Sequence, residues 1–256
     1  MQKKKKWIVI KVIDFHSHII PSIDDGSRNV QETFKMIEEA KEVGFSKIIS
    51  TSHYLNDLYE VDENDRKAII SAINSKISNI EIYLGSEIYV THRIVDFIET
   101  KKASTINGSR YVLFELPMKK NIFDLKEIIF KLLENRYIPI IAHPERYEYV
   151  QENPNMLIDL IKMGVLFQGN YGSIIGIYGK KAEKTIKKLL KANIIHFLGS
   201  DVHRANSLYP QIPKAIEEIK NIVSKEVFEA ISTKNAESVL NDEEIEIFEP
   251  QKIKFF

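Results

Sequence analysis

Apolar residues fall along this chain in two alternating rhythms: short unbroken runs, and longer stretches at helical spacing. Residues 8–15 are apolar and β-branched and predict a strand. Residues 29–43 place Val30, Phe34, Ile37, Ala40 and Val43 on one helical face, with Gly44 as a stop signal. The same alternation predicts strands at 47–51, 80–84, 111–116, 138–142, 165–168 and 194–199. Between them it predicts helices at 64–77, 92–100, 123–135, 155–162 and 179–192, and helices around 212–222, 225–232 and 234–240 follow. About seven strand–helix units in strict order argue for a parallel sheet. Runs such as 139–142 (PIIA) and 195–199 (IHFLG) are apolar on both faces, as helix cover on each side requires.

The polar residues are placed as informatively as the apolar ones. Nearly every predicted strand ends in a histidine or a carboxylate. The first runs into Asp14, His16 and His18, and the second into His53. Glu87, Glu115 and His143 follow at the next three ends, and Asp201 with His203 at the last. In a parallel barrel these ends share one rim, whereas an open sheet would spread them along an edge, so the convergence favours closure. Residues two apart on an extended segment face the same way, which lets His16 and His18 reach one ion. Five of the seven histidines sit at strand ends, and the set points to a metal site. His92 and His196 fall outside it and read as structural. Glu87 and Glu115 suit a bridging role between cations. Asp24 and Asp25 lie in a turn-like loop, and one of the two suits a ligand. Arg146, three residues after His143, is placed to clamp a phosphoryl group through its planar fork, against the plainer reading of a surface ion pair with Glu145 or Glu148.

Composition narrows the chemistry. The 256 residues carry 36 basic and 36 acidic side chains, so no net charge draws the chain to nucleic acid or an anionic membrane. With no cysteine there is neither a disulfide nor a thiol nucleophile, which fits a cytoplasmic protein and confines any metal site to histidine and carboxylate. The lysine run at residues 3–6 reads as a solvated lead-in to the first strand, because Lys11 interrupts the apolar stretch that follows. No apolar stretch approaches the roughly 20 residues of a membrane span. One domain over 1–256 is expected, with a core at about 12–240 and a tail at 241–256 that either packs on the barrel or contacts a partner.

The motifs DFHSHIIPSIDDGS, TSHY, GSEI, FELP, AHPER and SDVH, in this order, resemble the PHP superfamily (polymerase and histidinol phosphatase), and most closely its bacterial CpsB/CapC branch. The resemblance spans roughly residues 13–240. It implies a distorted (β/α)7 TIM-like barrel and a manganese-dependent protein-tyrosine phosphatase serving capsule and exopolysaccharide synthesis. It also implies three divalent ions, with Fe, Zn or Co as alternatives to Mn²⁺. His16, His18, Glu87 and Asp201 would hold one ion. Glu87, Glu115 and His143 would hold the second, and Asp25, His53 and His203 the third. The implied substrate is a phosphotyrosine protein, the tail of a membrane tyrosine kinase, cleaved by attack of metal-activated water. Such chains usually carry an arginine five residues after the last motif histidine. Here that position is Leu208, and Arg204 is the candidate substitute. Tyr54, Tyr147 and Tyr171 are candidates to stack on the aryl ring, against ordinary rim packing. The alternatives are a small-molecule phosphatase such as one for histidinol phosphate, a nuclease that the charge balance disfavours, and a non-catalytic metal-binding regulator of polysaccharide assembly.

Overall fold

The computed structural model describes residues 12–119 and 124–254. The lysine run, the predicted strand start at residue 8 and the helix start at 123 lie outside them. Among the described residues there are nine strands, interspersed with helices in chain order: β1 (Val12–Ser17), β2 (Phe45–Ser50), β3 (His53–Tyr54), β4 (Glu81–Leu84), β5 (Glu87–Tyr89), β6 (Tyr111–Glu115), β7 (Ile138–Ala142), β8 (Leu166–Asn170) and β9 (Phe197–Gly199). Every strand ladder is parallel, in the orders β1-β2-β4 and β3-β5-β6-β7-β8-β9. β2 and β3, like β4 and β5, are consecutive pieces of one path across a two-residue break. Backbone bonds carry the pairing across the breaks, from Thr51 N to Ser17 O (2.8 Å) and from Glu87 N to Thr51 O (2.9 Å). The sheet curls until its far edge meets β1 again. His18 N donates to Val202 O at 3.0 Å and Asp201 N to His16 O at 2.7 Å. Gly199 permits this approach, since a Cβ there would lie 2.5 Å from the Cβ of His16.

The interior of the curl is filled by Ile13, Phe15, Ile49, Leu113, Ile140, Leu166 and Phe197, with Phe15 and Phe197 stacked at 4.1 Å. The outer faces of the strands meet helices that bury one stripe each. In α1 (Val30–Glu42) that stripe is Met36, Ile37 and Ala40, and the side chain of Asn29 caps its first turn. In α8 (Gly179–Lys191), after α2 (Glu63–Asn74), α3 (Ile94–Glu99), α4 (Leu125–Glu134), α5 (Glu148–Glu152), α6 (Met156–Lys162) and α7 (Tyr171–Ile174), it is Ala182, Ile186, Leu189 and Leu190. The chain then forms α9 (Ile212–Lys220), α10 (Lys225–Glu229) and α11 (Asn235–Leu240). Among the described residues no helix is long and apolar enough to cross a membrane.

The tail runs as an extended strap without regular structure, held by asparagine side chains. Asn235 bonds the backbone of Glu246 from both its amide atoms, and Asn155 does the same for Ile253. Of the two expectations for the tail, packing on the body is the one observed.

His196 sits just before β9, not inside a strand as predicted. It is buried, and its Nδ1 accepts from Phe167 N at 3.1 Å. Burial presses its pKa down to about 4. Between that value and the ordinary ~6.5 the unfolded chain holds a proton that the folded chain refuses, so stability falls as pH drops through this window. Urea unfolding of His196→Gln should therefore lose about 2 kcal/mol less than the parent chain between pH 7 and pH 5. Equal losses would show that His196 titrates alike in the folded and unfolded chain.

Candidate metal centre

All the predicted ligand positions lie at the C-terminal edge of the curled sheet. His16 is the penultimate residue of the VIDFHS run, and His18 follows the run. His53 opens β3, Glu87 opens β5, Glu115 ends β6, His143 follows β7, and Asp201 and His203 follow β9. His143 and Asp201 both adopt left-handed backbone, with φ of 33° and 55°. For residues with a Cβ this stores on the order of 1–3 kcal/mol each, and such strain clusters at functional sites.

Glu87 is the hub. Its Oε2 lies 3.1 Å from His16 Nε2, 3.3 Å from His18 Nε2 and 3.2 Å from His53 Nδ1, while its Oε1 lies 2.9 Å from His143 Nε2. Among the described residues three sets of side chains bring ligand atoms within 4.8 Å of one another: His16, His18, Glu87 and Asp201; His18, Asp25, His53 and His203; and His53, Glu87 and Glu115. The first set is the one the resemblance implies, and the second is the implied third set with His18 added. In the remaining set His53 takes the place expected of His143, which reaches Glu115 Oε2 only at 3.9 Å.

Neighbours of the histidines fix which nitrogen faces the cluster. His203 Nδ1 meets the carbonyl of Asp201 at 2.9 Å, so that nitrogen carries the proton. His18 Nδ1 meets the Asp24 carboxylate at 2.9 Å. His16 Nδ1 meets Gln168 Oε1 at 2.7 Å, and the amide of Gln168 is oriented because its nitrogen already donates to Gly169 O and Asn170 Oδ1. In all three rings Nε2 is the nitrogen turned toward the cluster, and those of His16 and His18 converge to 3.0 Å. Asn170 continues the chain by donating to Asp201 Oδ2 at 2.8 Å. Asp14 staples the two ends of the sheet, accepting from Ser200 N, Ser200 Oγ and the Tyr209 hydroxyl. Buried Arg66 donates to Ser86 Oγ and steadies the break before Glu87. The sequence reading missed Gln168, Asn170 and the Arg66 brace; the only available signal was a polar pair inside the run LFQGN.

Electrostatics show a site short of positive charge. Burial alone would raise Glu87 and Asp201, but the imidazoles around both, and Arg146 beside Asp201, hold them well below the usual carboxylate range. Glu115 receives too little of that help. Burial, then the charges of Glu87 and Asp201, push it up to about 9. Burial also presses His53 down to about 4. Imidazole nitrogens gathered around carboxylates that their own protein cannot fully neutralise fit bound divalent cations.

Arg146 pairs with Asp201, Nη1 to Oδ2 at 2.7 Å, and its guanidinium lies 4.4 Å from the ring centre of Tyr178. It is not the surface pair with Glu145 or Glu148. Glu145 is instead buried, accepting from Asn170 N and Ser173 Oγ. Arg204 donates through Nη1 to the carbonyls of Asp25, Gly26 and His203, so it braces the Asp25 loop. Arg204, the candidate substitute for an arginine at the Leu208 position, thus has its Nη1 engaged with backbone carbonyls. Both residues line a cleft of about 380 Å³ beside Asp201 and His203. Tyr54, Tyr147 and Tyr171 are fully buried and cannot reach a substrate ring. Tyr147 donates to Ala142 O and accepts from Leu116 N. The aromatic residues at the mouth are Tyr59, stacked on His53, and Tyr178 under Arg146. His92 is an exposed turn residue 3.4 Å from Asp124, away from the cluster.

A curled parallel α/β sheet with histidines and carboxylates gathered at its C-terminal edge defines the class of metal-dependent hydrolases. Within it, this chain belongs to the CpsB/CapC family of capsular polysaccharide synthesis, whose model matches residues 12–241. It is 31% identical to CapC of Staphylococcus aureus, over 91% of this chain and 93% of that one. It is 29% identical to the tyrosine-protein phosphatase YwqE of Bacillus subtilis, over 95% and 97%. A solved structure from the pair YwqE of Bacillus subtilis and CpsB of Streptococcus pneumoniae, described as metal-dependent tyrosine phosphatases, superposes with a TM-score of 0.87 at 28% identity, over 95% of this chain and 100% of that one. The likeness therefore covers the sheet, the helices and the whole cluster.

Proposed function

We propose that this chain is a metal-dependent protein-tyrosine phosphatase. The observation that carries the reading is the contact of one carboxylate, Glu87, with four imidazoles in a chain without cysteine. In this reading three divalent ions, Mn²⁺ by family, are held by His16, His18, Asp25, His53, Glu87, Glu115, His143, Asp201 and His203. The ions supply Lewis acidity and a water acidic enough to act as nucleophile near neutral pH. The protein's own part is to hold the ester in place. Arg146 offers paired N–H donors to the phosphoryl oxygens, at a position already fixed by Asp201 and Tyr178. Glu115, crowded by Glu87 and Asp201, would hold its charge only with a cation beside it. Gln168, Asn170 and Asp24 keep the rings turned toward the cluster.

The strand pieces read together as the seven staves of a distorted (β/α)7 barrel in one domain, with the C-terminal strap as part of it. The family's role in capsule synthesis supports a phosphotyrosine protein as substrate, with the tail of a tyrosine kinase as the partner and the cytoplasm as the compartment.

Metal-loaded protein should turn over a phosphotyrosine peptide at least about tenfold faster, in kcat/KM, than histidinol phosphate. In ¹⁸O-labelled water the label should enter phosphate and not tyrosine. The reverse substrate preference would favour the small-molecule phosphatase, and label in tyrosine would exclude attack at phosphorus.

A further inference from the structure

The cleft beside Asp201 and His203 has an apolar wall formed by Ile177, Tyr178, Val202 and Leu208. Ile177 stands half exposed at its lip, where it contributes little to the fold. Gly172 lets the wall close up: a Cβ there would lie 3.0 Å from the Tyr178 ring and 3.5 Å from Leu208. Arg146 ties this wall to the cluster, since the same guanidinium touches Asp201 and lies over Tyr178. A phosphoryl group held at the cluster by Arg146 would therefore have its ester oxygen at the entrance to the cleft. Leu208 presents carbon to the cleft.

We infer that this cleft seats the aromatic ring of the ester, and that Ile177 and Leu208 make the site prefer aryl to alkyl phosphoesters. The inference rests on the phosphatase reading above for where the phosphoryl group lies. A flat ring gains from an apolar wall, whereas a short alkyl or hydroxylated leaving group leaves it wet. At roughly 380 Å³ the cleft lies at the small end of the ~300–1,000 Å³ usual for ligand sites, suited to one ring rather than a folded peptide.

The test compares binding of phenylphosphonate and methylphosphonate to the full-length, Mn²⁺-loaded protein by calorimetry. Phenylphosphonate should bind about tenfold more tightly, the scale set by burying part of one ring. Ile177→Ser and Leu208→Ala should cut that ratio to about twofold while leaving methylphosphonate affinity unchanged. A ratio near one in the parent chain, or a ratio that survives Ile177→Ser, overturns the inference. Leu208 is buried, so if Leu208→Ala loses both ligands together the exposed Ile177→Ser decides. Phosphotyrosine hydrolysis without a phenyl preference would sink the cleft assignment alone. A phenyl preference lost in Ile177→Ser, with no phosphotyrosine hydrolysis, would sink the tyrosine phosphatase reading and leave the aryl cleft standing.

Discussion

Glu87→Gln is expected to lower kcat/KM on a phosphotyrosine peptide by at least about a thousandfold, with the fold retained. The substitution keeps the shape and removes the charge. Glu87 alone among the carboxylates touches His16, His18, His53 and His143, so it is the group best placed to be shared between cations. An amide at that position offers one neutral oxygen and one N–H₂, and a donor aimed at imidazole lone pairs or a cation repels both. The backbone of residue 87 stays anchored through its bond to Thr51 O. Metal should therefore also cease to raise the melting temperature of this variant, because a ligand stabilises only in proportion to its binding. A loss of activity under about tenfold would mean that the cations are held without this bridge.

The second large effect is expected at Arg146. Arg146→Ala should lower kcat by about 10²–10³-fold with metal content unchanged, and Arg146→Lys should recover little of it. Burial disfavours the guanidinium charge here, but Asp201 together with Tyr178, Glu87 and Glu145 outweighs it and raises the pKa, so Arg146 is cationic at any working pH. Its planar fork is held from two sides, by the carboxylate of Asp201 and by the face of Tyr178. Lysine offers a single charged point on a flexible stem and would be held by neither in the same way. Steady-state kinetics with metal analysis of each variant check this. Full rescue by lysine would show that only charge matters, and co-loss of metal would recast Arg146 as a support for Asp201.

What the sequence revealed and what it hid divide along physical lines. The parallel α/β order was readable because a buried strand and a helix with one apolar stripe have different periods, as β7 and α8 show. The cluster was readable because parallel strands put His16, His53, Glu87, Glu115, His143 and Asp201 on one edge wherever the loops lead. The breaks within the second and third staves were not, because a two-residue interruption leaves the apolar pattern intact. Nor were the rim aromatics. Tyr54, Tyr147 and Tyr171 lie close in sequence to the strand ends but point into packing, and Tyr147 spends its hydroxyl on the backbone. Tyr59 and Tyr178 reach the mouth from loops that have no periodicity to betray them. Arg204 was read by its neighbour His203, while two of its three carbonyl partners lie about 180 residues earlier, in the Asp25 loop.

The central claim is that the histidine–carboxylate cluster works through bound metal. The most direct measurement is phosphate release from a phosphotyrosine peptide by chelator-stripped protein, before and after adding Mn²⁺. No turnover is expected from the stripped protein, with recovery on adding Mn²⁺ and no recovery in His143→Ala. Full activity in the stripped protein, or full recovery in His143→Ala, would contradict that claim.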